Sequence, residues 1–554
     1  MKLIYSVLLL LSIFFSGQLP AIASPRYLLT YPAAPYDTPS STFALRIGET
    51  TIPISSFYNG RYDFGHLAFE GAATFVLSLR SGAQITGYNI SPHALGIKAT
   101  VKGSDLIFTV TQRQSTYLII TITTASGTLE PMVLAGDRKE IGAPTIGGSV
   151  HDITAPPYGA DKSGNNLLNT TIQRAIDSIS ASGGGTIYFP AGVYKISNNI
   201  RLASNITIYL AAGAFLRGSP DRSDYIWNAR STTTAGDPKQ GPQNFVIPGG
   251  TVNVAFAGRG MIDGNSTVLV TPQSLGGTID GWGGYRKGII HSGNENGAGR
   301  PTGIRISDVT IKDATTWTVD IQDAQNVTIQ SVKMVNDFQW IHSDGYDLSN
   351  VTTATVDNCL GITGDDVFDA KSSNTNPLSD IVYSNGVAYS FKGTGTKIGV
   401  QATGAARNVT FSNIQVVAGQ RAVSVSHDSG TGVWNGLNFR DIHMENLEGT
   451  SSSGQFLVAP IVIWTMANGG GPVSNVSLSR VTVEDSGGQM SQISGATSAG
   501  SISNVTLREV SIDGELITKG NYQSKIAVGT NVKDLRIGND ILPRSSRTIA
   551  DQHE

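Results

Sequence analysis

Apolar and polar residues alternate in short runs through the first part of the chain: TFALRIG, HLAFEG, TFVLSLRS, LGIKATV, DLIFTVTQ and TYLIITITT, with turn residues between them. A period of two gives a strand one apolar face, so residues 25–150 predict an N-terminal antiparallel β-sandwich. The stretch GAPTIGGSVHDITAPPYG then reads as a linker and entry segment. After it the period changes. Ile172, Ala175, Ile176 and Ile179 recur at helical spacing, and Gly183, Gly184 and Gly185 end that helix. One helix followed by the strands TIYFP and VYKI suits the cap of a solenoid, whose end coil would otherwise expose core and strand edges.

From there apolar strands keep returning: NITIYLAAGAFL, NVAFAGRGMIDG, IRISDVTIKDA, NVTIQSVKMV, NVTTATVDNC, NVTFSNIQVV, NVSLSRVTVED and NVTLREVSIDG. Asn326 and Asn350 lie 24 residues apart. A period in the twenties with several short strands per turn marks a parallel β-helix, here over residues 151–554. Asn-x-Ser/Thr sequons begin at Asn89, Asn169, Asn205, Asn265, Asn326, Asn350, Asn408, Asn475 and Asn504. Most read N-[IV]-[ST] at the start of an apolar strand, so two readings stand together: glycan acceptors of a secreted chain, and a repeat signal of the turns.

Composition agrees with a turn-rich β protein: 64 glycines, 15% charged residues and a formal net charge of -3 over 554 residues. No strongly basic region appears, which argues against a nucleic-acid partner. The opening MKLIYSVLLLLSIFFSGQLPAIAS reads as a secretory signal peptide over residues 1–23, implying an extracellular protein. No later stretch is long and apolar enough to span a bilayer, so no membrane partner is expected. A single cysteine, Cys359, excludes an intrachain disulfide and reads as a buried structural thiol.

Chemistry concentrates in GITGDDVFDAK, where Asp365 and Asp366 adjoin and Asp369 follows. Asp344, in WIHSDGYDL, stands 21 and 22 residues before that pair, about one coil. Coils of a β-helix stack about 4.8 Å apart, so Asp344 can sit beside the pair. Three carboxylates in one groove cannot all ionise freely; repulsion raises at least one pKa and leaves one acid among bases. Those are the roles that cleave a glycosidic bond. Two plainer readings are a solvated turn, and a calcium site built from Asp365, Asp366 and Asp369.

These segments resemble the β-helix glycoside hydrolases, between the polygalacturonase family and the dextranase/isopullulanase family. The resemblance runs from about Asp152 to the C-terminus. The entry segment YGADKSGNNLLNTTIQRAIDSISASGGGTIYFPAGVY is shared widely among pectin-lyase-like folds, and GRGMIDGNST resembles a turn of polygalacturonases. More specific is HSDGYDL, similar to their N-T-D-G-[FI]-D with Ser343 for threonine, followed by GDDVFDA in the place of D-D-C. The resemblance implies a right-handed fold and inverting hydrolysis, with Asp365 as general acid and Asp344 and Asp366 activating water. Two departures bear on substrate. Thr394 of GTGTKIG stands at a histidine position, and Ser424 and Ser426 stand where an arginine and a lysine bind the uronate. A carboxylate-bearing sugar would lose those partners, so the expected substrate is a neutral polysaccharide, best an α-glucan such as dextran, cut internally.

Residues expected to bind the sugar are Trp282, Tyr285, Trp340, Lys371, Lys397, Gln401 and His427, with Trp317, Phe368, Trp434 and Trp464 as further aromatic candidates. No cofactor or metal is required, and a monomer acting on a polysaccharide is expected. The alternatives are a polygalacturonase-type pectin hydrolase, a polysaccharide lyase with Lys397 taking a proton, and a non-catalytic carbohydrate-binding surface protein.

Overall fold

A computed structural model describes residues 23–226, 241–270, 286–293, 297–449, 457–466 and 470–542; the expected leader lies almost wholly outside them. The alternating runs form two antiparallel-rich sheets of eight and five strands between Tyr27 and Asp137. Their facing sides bury Phe43, Phe69, Phe75, Phe108 and Leu118 in one core. One pair departs from the antiparallel pattern: Met132–Asp137 runs parallel to Tyr62–Glu70.

Helix α1, Asn169–Ala181, buries the four residues that its spacing selects, Ile172, Ala175, Ile176 and Ile179. It ends where Gly183 and Gly184 turn left-handed (φ 102° and 103°) and the Gly184 amide returns to the Ile179 carbonyl at 2.9 Å. Beyond it the chain winds as a right-handed parallel β-helix, stacking its strands into sheets of 23 and 11 members. Inward positions are apolar, and equivalent aromatic residues pile on one another: Tyr383 on Phe411 at 4.8 Å and Phe411 on Phe439 at 5.0 Å. Cys359 is buried in this core.

The asparagine repeat has a backbone cause. Gly303, Asn326, Thr353, Asp380, Asn408, Gly436, Asn475 and Asn504 all have positive φ, and the strand registers stack them in one column. Each coil turns the same corner through a left-handed residue, a conformation that Gly, Asn and Asp tolerate best. Amides also link neighbouring coils, as Asn408 Nδ2 to Asp380 Oδ1 at 3.0 Å and Asn475 Nδ2 to Asn435 Oδ1 at 3.2 Å. Two other sequon asparagines, Asn265 and Asn350, are buried.

Six strands of the 11-stranded sheet carry the chemistry: β1 (Gly288–Ser292), β2 (Val319–Gln322), β3 (Tyr346–Ser349), β4 (Phe368–Ser372), β5 (Thr394–Ala402) and β6 (Arg421–Ser429). Val319, Tyr346 and Phe368 share a register on the core side. One residue along, the register stacks His291, Asp320, Asp347, Asp369, Lys397 and Ser424. Alternation places this polar column on the opposite face of the sheet from the core.

The N-terminal sheets dock on the helix through an apolar patch that joins Phe57, Tyr62, Phe64 and Tyr117 to Val335, Leu360 and Ile362. Three tyrosine hydroxyls donate across it: Tyr58 to the Val335 carbonyl at 2.7 Å, Tyr62 to Asn336 at 2.9 Å and Tyr117 to Asn358 at 3.0 Å. Asp137, fully buried, meets Lys333 at 2.9 Å and Arg259 at 2.8 Å from the helix.

Candidate active site

Asp344 and Asp366 occupy equivalent places on adjacent coils: Tyr346 pairs with Phe368, and the Gly345 amide donates to the Asp366 carbonyl at 2.8 Å. Asp365 lies on the turn that leads into β4. Its carbonyl accepts from Thr363 Oγ1 at 2.5 Å and Ser390 Oγ at 2.8 Å, which fixes the turn from two coils. Gly364 permits the approach, because a Cβ there would stand 2.0 Å from the Trp340 carbonyl oxygen. Gly393 does the same from the following coil, where a Cβ would meet the Asp365 carbonyl carbon at 2.1 Å. Ser343, the residue that replaces threonine, donates to the Trp340 carbonyl at 2.7 Å and accepts from the Gly364 amide at 3.0 Å.

The adjacent aspartates part company at once. Asp366 is buried, its Oδ1 accepts from the Thr394 amide at 2.8 Å, and its Oδ2 is in contact with Lys397 Nζ. The Asp365 side chain is 27% exposed, and His342 Nδ1 lies 3.9 Å from its Oδ2. Lys371 Nζ gathers Asp347 at 2.5 Å, Asp344 at 3.1 Å and Asp369 at 3.3 Å, and lies 3.9 Å above the centre of the Trp317 ring.

Burial dominates the titration of this group, because a charge removed from water is penalised. It pushes Asp344 up to about 6, with Lys371 pulling the other way. Burial, then the charges of Asp344 and Asp366, lift Asp365 well above the ordinary carboxylate range. Burial lifts Asp369 to about 8. For Asp366 burial is the largest cause and acts upward too, yet Lys397, the charge of Lys371 and the Thr394 amide together outweigh it and the net shift is downward. The arrangement thus pushes one carboxyl of the adjacent pair towards its protonated form and the other towards its ionised form.

The other expected residues divide. Lys371 and Lys397 are brought to the carboxylates, and Trp340 lies just upstream of Asp344 with its ring packed against Tyr225, Leu269 and Val270. Gln401, half-buried, sits past a register shift in β5. His427 corrects the expectation of a sugar contact: it is fully buried, bonded through Nε2 to the Gly432 carbonyl at 2.8 Å, with its ring 4.6 Å from that of Trp434. Trp434 and Phe368 are likewise core residues. Trp282 and Tyr285 lie outside the described residues. Ser424 and Ser426 are buried and bonded to each other at 2.7 Å.

Sequence reasoning missed Asp347 and Arg421. Asp347 follows Asp344 by three residues, and only the coil register brings it under Lys371. Arg421 pairs in register with Thr394, lies buried 5.6 Å from the centre of the Trp464 ring and donates to the Leu457 carbonyl at 2.8 Å. Trp464 in turn donates to Asp428 at 2.8 Å. The calcium reading shifts as well. Asp344, Asp366 and Asp369, not Asp365, bring oxygens within 4.8 Å of one another. Oxygen donors of this kind suit a hard cation, but here ammonium groups of Lys371 and Lys397 lie among them.

Comparison with known proteins bears on this site. A family model described as "Glycosyl hydrolases family 28" matches residues 216–532, more than half of the chain. A "Probable polygalacturonase" of Vitis vinifera is 23% identical over 315 residues, 54% of this chain and 60% of that protein, so the chain spans less than two-thirds of the relative's length. Among solved structures, Dex49A from Penicillium minioluteum is 13% identical with a TM-score of 0.56, covering 92% of this chain and 96% of that one. A polygalacturonase from Erwinia carotovora ssp. carotovora is 18% identical with a TM-score of 0.50, covering 71% and 99%. At such identities these two structures speak to the fold.

Proposed function

The chain belongs to glycosyl hydrolases family 28, and from that premise we propose that it hydrolyses a pectin-type polysaccharide with inversion, Asp365 serving as the acid and Asp344 and Asp366 as the bases. It is a carbohydrate-active enzyme of the pectin-lyase-like β-helix fold. The observation that carries the reading is the contrast within one dipeptide: a partly exposed Asp365 whose pKa is pushed up beside a buried Asp366 whose pKa is pushed down. The acid delivers its proton to the departing sugar oxygen. The ionised aspartates take a proton from water as it attacks the anomeric carbon, so atoms and charge balance.

For the substrate, the comparisons favour the polygalacturonase-type alternative over the α-glucan expected from the sequence. The electrostatics support the same choice. With Asp369 carrying its proton at neutral pH and Asp365 pushed the same way, Lys371, Lys397 and Arg421 supply positive charge beside the carboxyls that can receive a uronate. Endo action and secretion after removal of residues 1–23 complete the proposal. Among the described residues no helix is long and apolar enough to cross a membrane.

A second reading, a neutral glucan such as dextran, rests on Ser424 and Ser426, which bond to each other where the family resemblance places the uronate-binding pair. Purified protein incubated with polygalacturonate and with dextran, with product sizes and anomeric configuration followed by NMR, separates the two. Inverted oligogalacturonates support the first reading, and turnover of dextran alone replaces it with the second. Asp365→Asn should fold normally by circular dichroism and lose at least about a hundredfold in kcat, the order of a general acid's contribution. Unchanged turnover by that variant removes Asp365 from the chemistry.

A further inference from the structure

Asp365 and Asp366 are the same residue type at consecutive positions, yet the proposed reaction needs one protonated and the other ionised. We propose that Lys397 is the positioning residue that makes this division, its ammonium holding Asp366 as the carboxylate so that the proton of the pair stays on Asp365. The proposal rests on the hydrolase reading above and assigns a role that the reading leaves open.

Geometry supports it from several sides. Lys397 Nζ contacts Asp366 Oδ2 while the Thr394 amide holds Oδ1 at 2.8 Å, so both oxygens of Asp366 meet donors from the following coil. Asp365 receives the Asp366 amide at 3.1 Å on one oxygen and faces His342 at 3.9 Å on the other. The remaining charged groups make their direct contacts with other partners, while Lys371 and Arg421 also act on the pair at longer range. Lys371, on β4, lies at 2.5–3.3 Å from Asp347, Asp344 and Asp369. Asp369, also on β4, is 3.9 Å from Lys397, farther than Asp366. From β6, Arg421 donates to the Leu457 carbonyl, and Asp428 accepts from Trp464. Lys397 is itself fixed, because its backbone lies in the β5 ladder between Asp369 and Ser424. The downward shift of Asp366 and upward shift of Asp365 agree with this division.

A lysine that only neutralised buried charge would also cost stability when removed, so the test reads titration. Aspartate carboxyl carbons labelled with carbon-13 are followed by NMR from pH 3 to 9 in the wild type and in Lys397→Met and Lys397→Arg. The expected result is that Asp366 titrates below Asp365 in the wild type, moves up by about one pH unit or more in Lys397→Met, and returns in Lys397→Arg. An unmoved Asp366 midpoint in a folded Lys397→Met overturns the proposal. So does a wild-type Asp366 that titrates above Asp365, an outcome that needs no variant to fold. If the wild type cleaves no polysaccharide, the hydrolase reading falls, while the NMR titration still decides the role of Lys397.

Discussion

Two carboxyl groups one residue apart experience different surroundings because one is partly exposed and the other faces the next coil. Asp365 meets solvent and the His342 ring, whereas Asp366 meets an ammonium and an amide. This difference sets the pH dependence. Asp344, a base in the proposed reaction, titrates at about 6 because it is buried. Below that value it holds a proton and cannot take one from water. Asp365 must keep its proton, and the upward push on its pKa extends the acid form to higher pH. The profile of kcat/KM should therefore be bell-shaped, falling on the acid side through about pH 6 and on the basic side as Asp365 ionises; initial rates across buffers check it. Asp369 offers a sharper contrast. At about 8 it is already neutral at pH 7, so Asp369→Asn changes little charge there and should keep activity within about threefold, whereas Asp366→Asn removes a base. Side-by-side assays of the two variants at pH 7 decide it. Of this site, coil spacing made legible that Asp344 lies beside the Asp365 and Asp366 pair. Asp347 and Arg421 were not, because their partners are set by the register of other coils.

Strand and turn together explain the asparagines. A sequon string such as NVT reads equally as a glycan acceptor and as a corner. The structure gives the corner a cause: one left-handed residue per coil, stacked in a column. Exposed Asn408, Asn475 and Asn504 satisfy both readings. Buried Asn265 and Asn350 have no exposed side for a glycan. Within the column Thr353 is the exception, a β-branched residue at φ 61°. Such a residue is strained where Asn is tolerated. Thr353→Asn should therefore stabilise the protein by about 1 kcal/mol, seen as a higher Tm in calorimetry. A Tm that falls would show that the threonine side chain contributes more than its backbone costs. The existence of the β-helix was legible because this corner repeats. The exact pairing was not, since coil length varies: Tyr346 pairs with Phe368 after 22 residues, but Phe368 pairs with Thr396 after 28.

For the whole molecule, the docking of the N-terminal sheets on the β-helix rests on a polar junction as well as an apolar patch. His66 bonds Asp137 at 2.7 Å, and Asp137 in turn meets Lys333 and Arg259. Alternation predicted the N-terminal module, but nothing local marks Lys333 as the partner of an aspartate 196 residues earlier. The junction makes docking sensitive to pH in a definite direction. Burial drives the His66 pKa down to about 4, with the Lys333 and Arg259 charges acting the same way against the pull of Asp137. An unfolded histidine titrates near 6.5. Between those values the unfolded chain binds a proton that the folded chain refuses, so stability is complete above about pH 6.5 and declines as pH falls towards 4. The difference amounts to about 3 kcal/mol at most. His66→Gln removes the titrating ring and should flatten the stability curve across that window while costing some of it at pH 7. Urea unfolding at pH 7, 5.5 and 4.5 measures both quantities. If the variant loses stability with the same slope as the wild type, the acid sensitivity resides in another group, and the buried junction holds its two parts together without regard to pH.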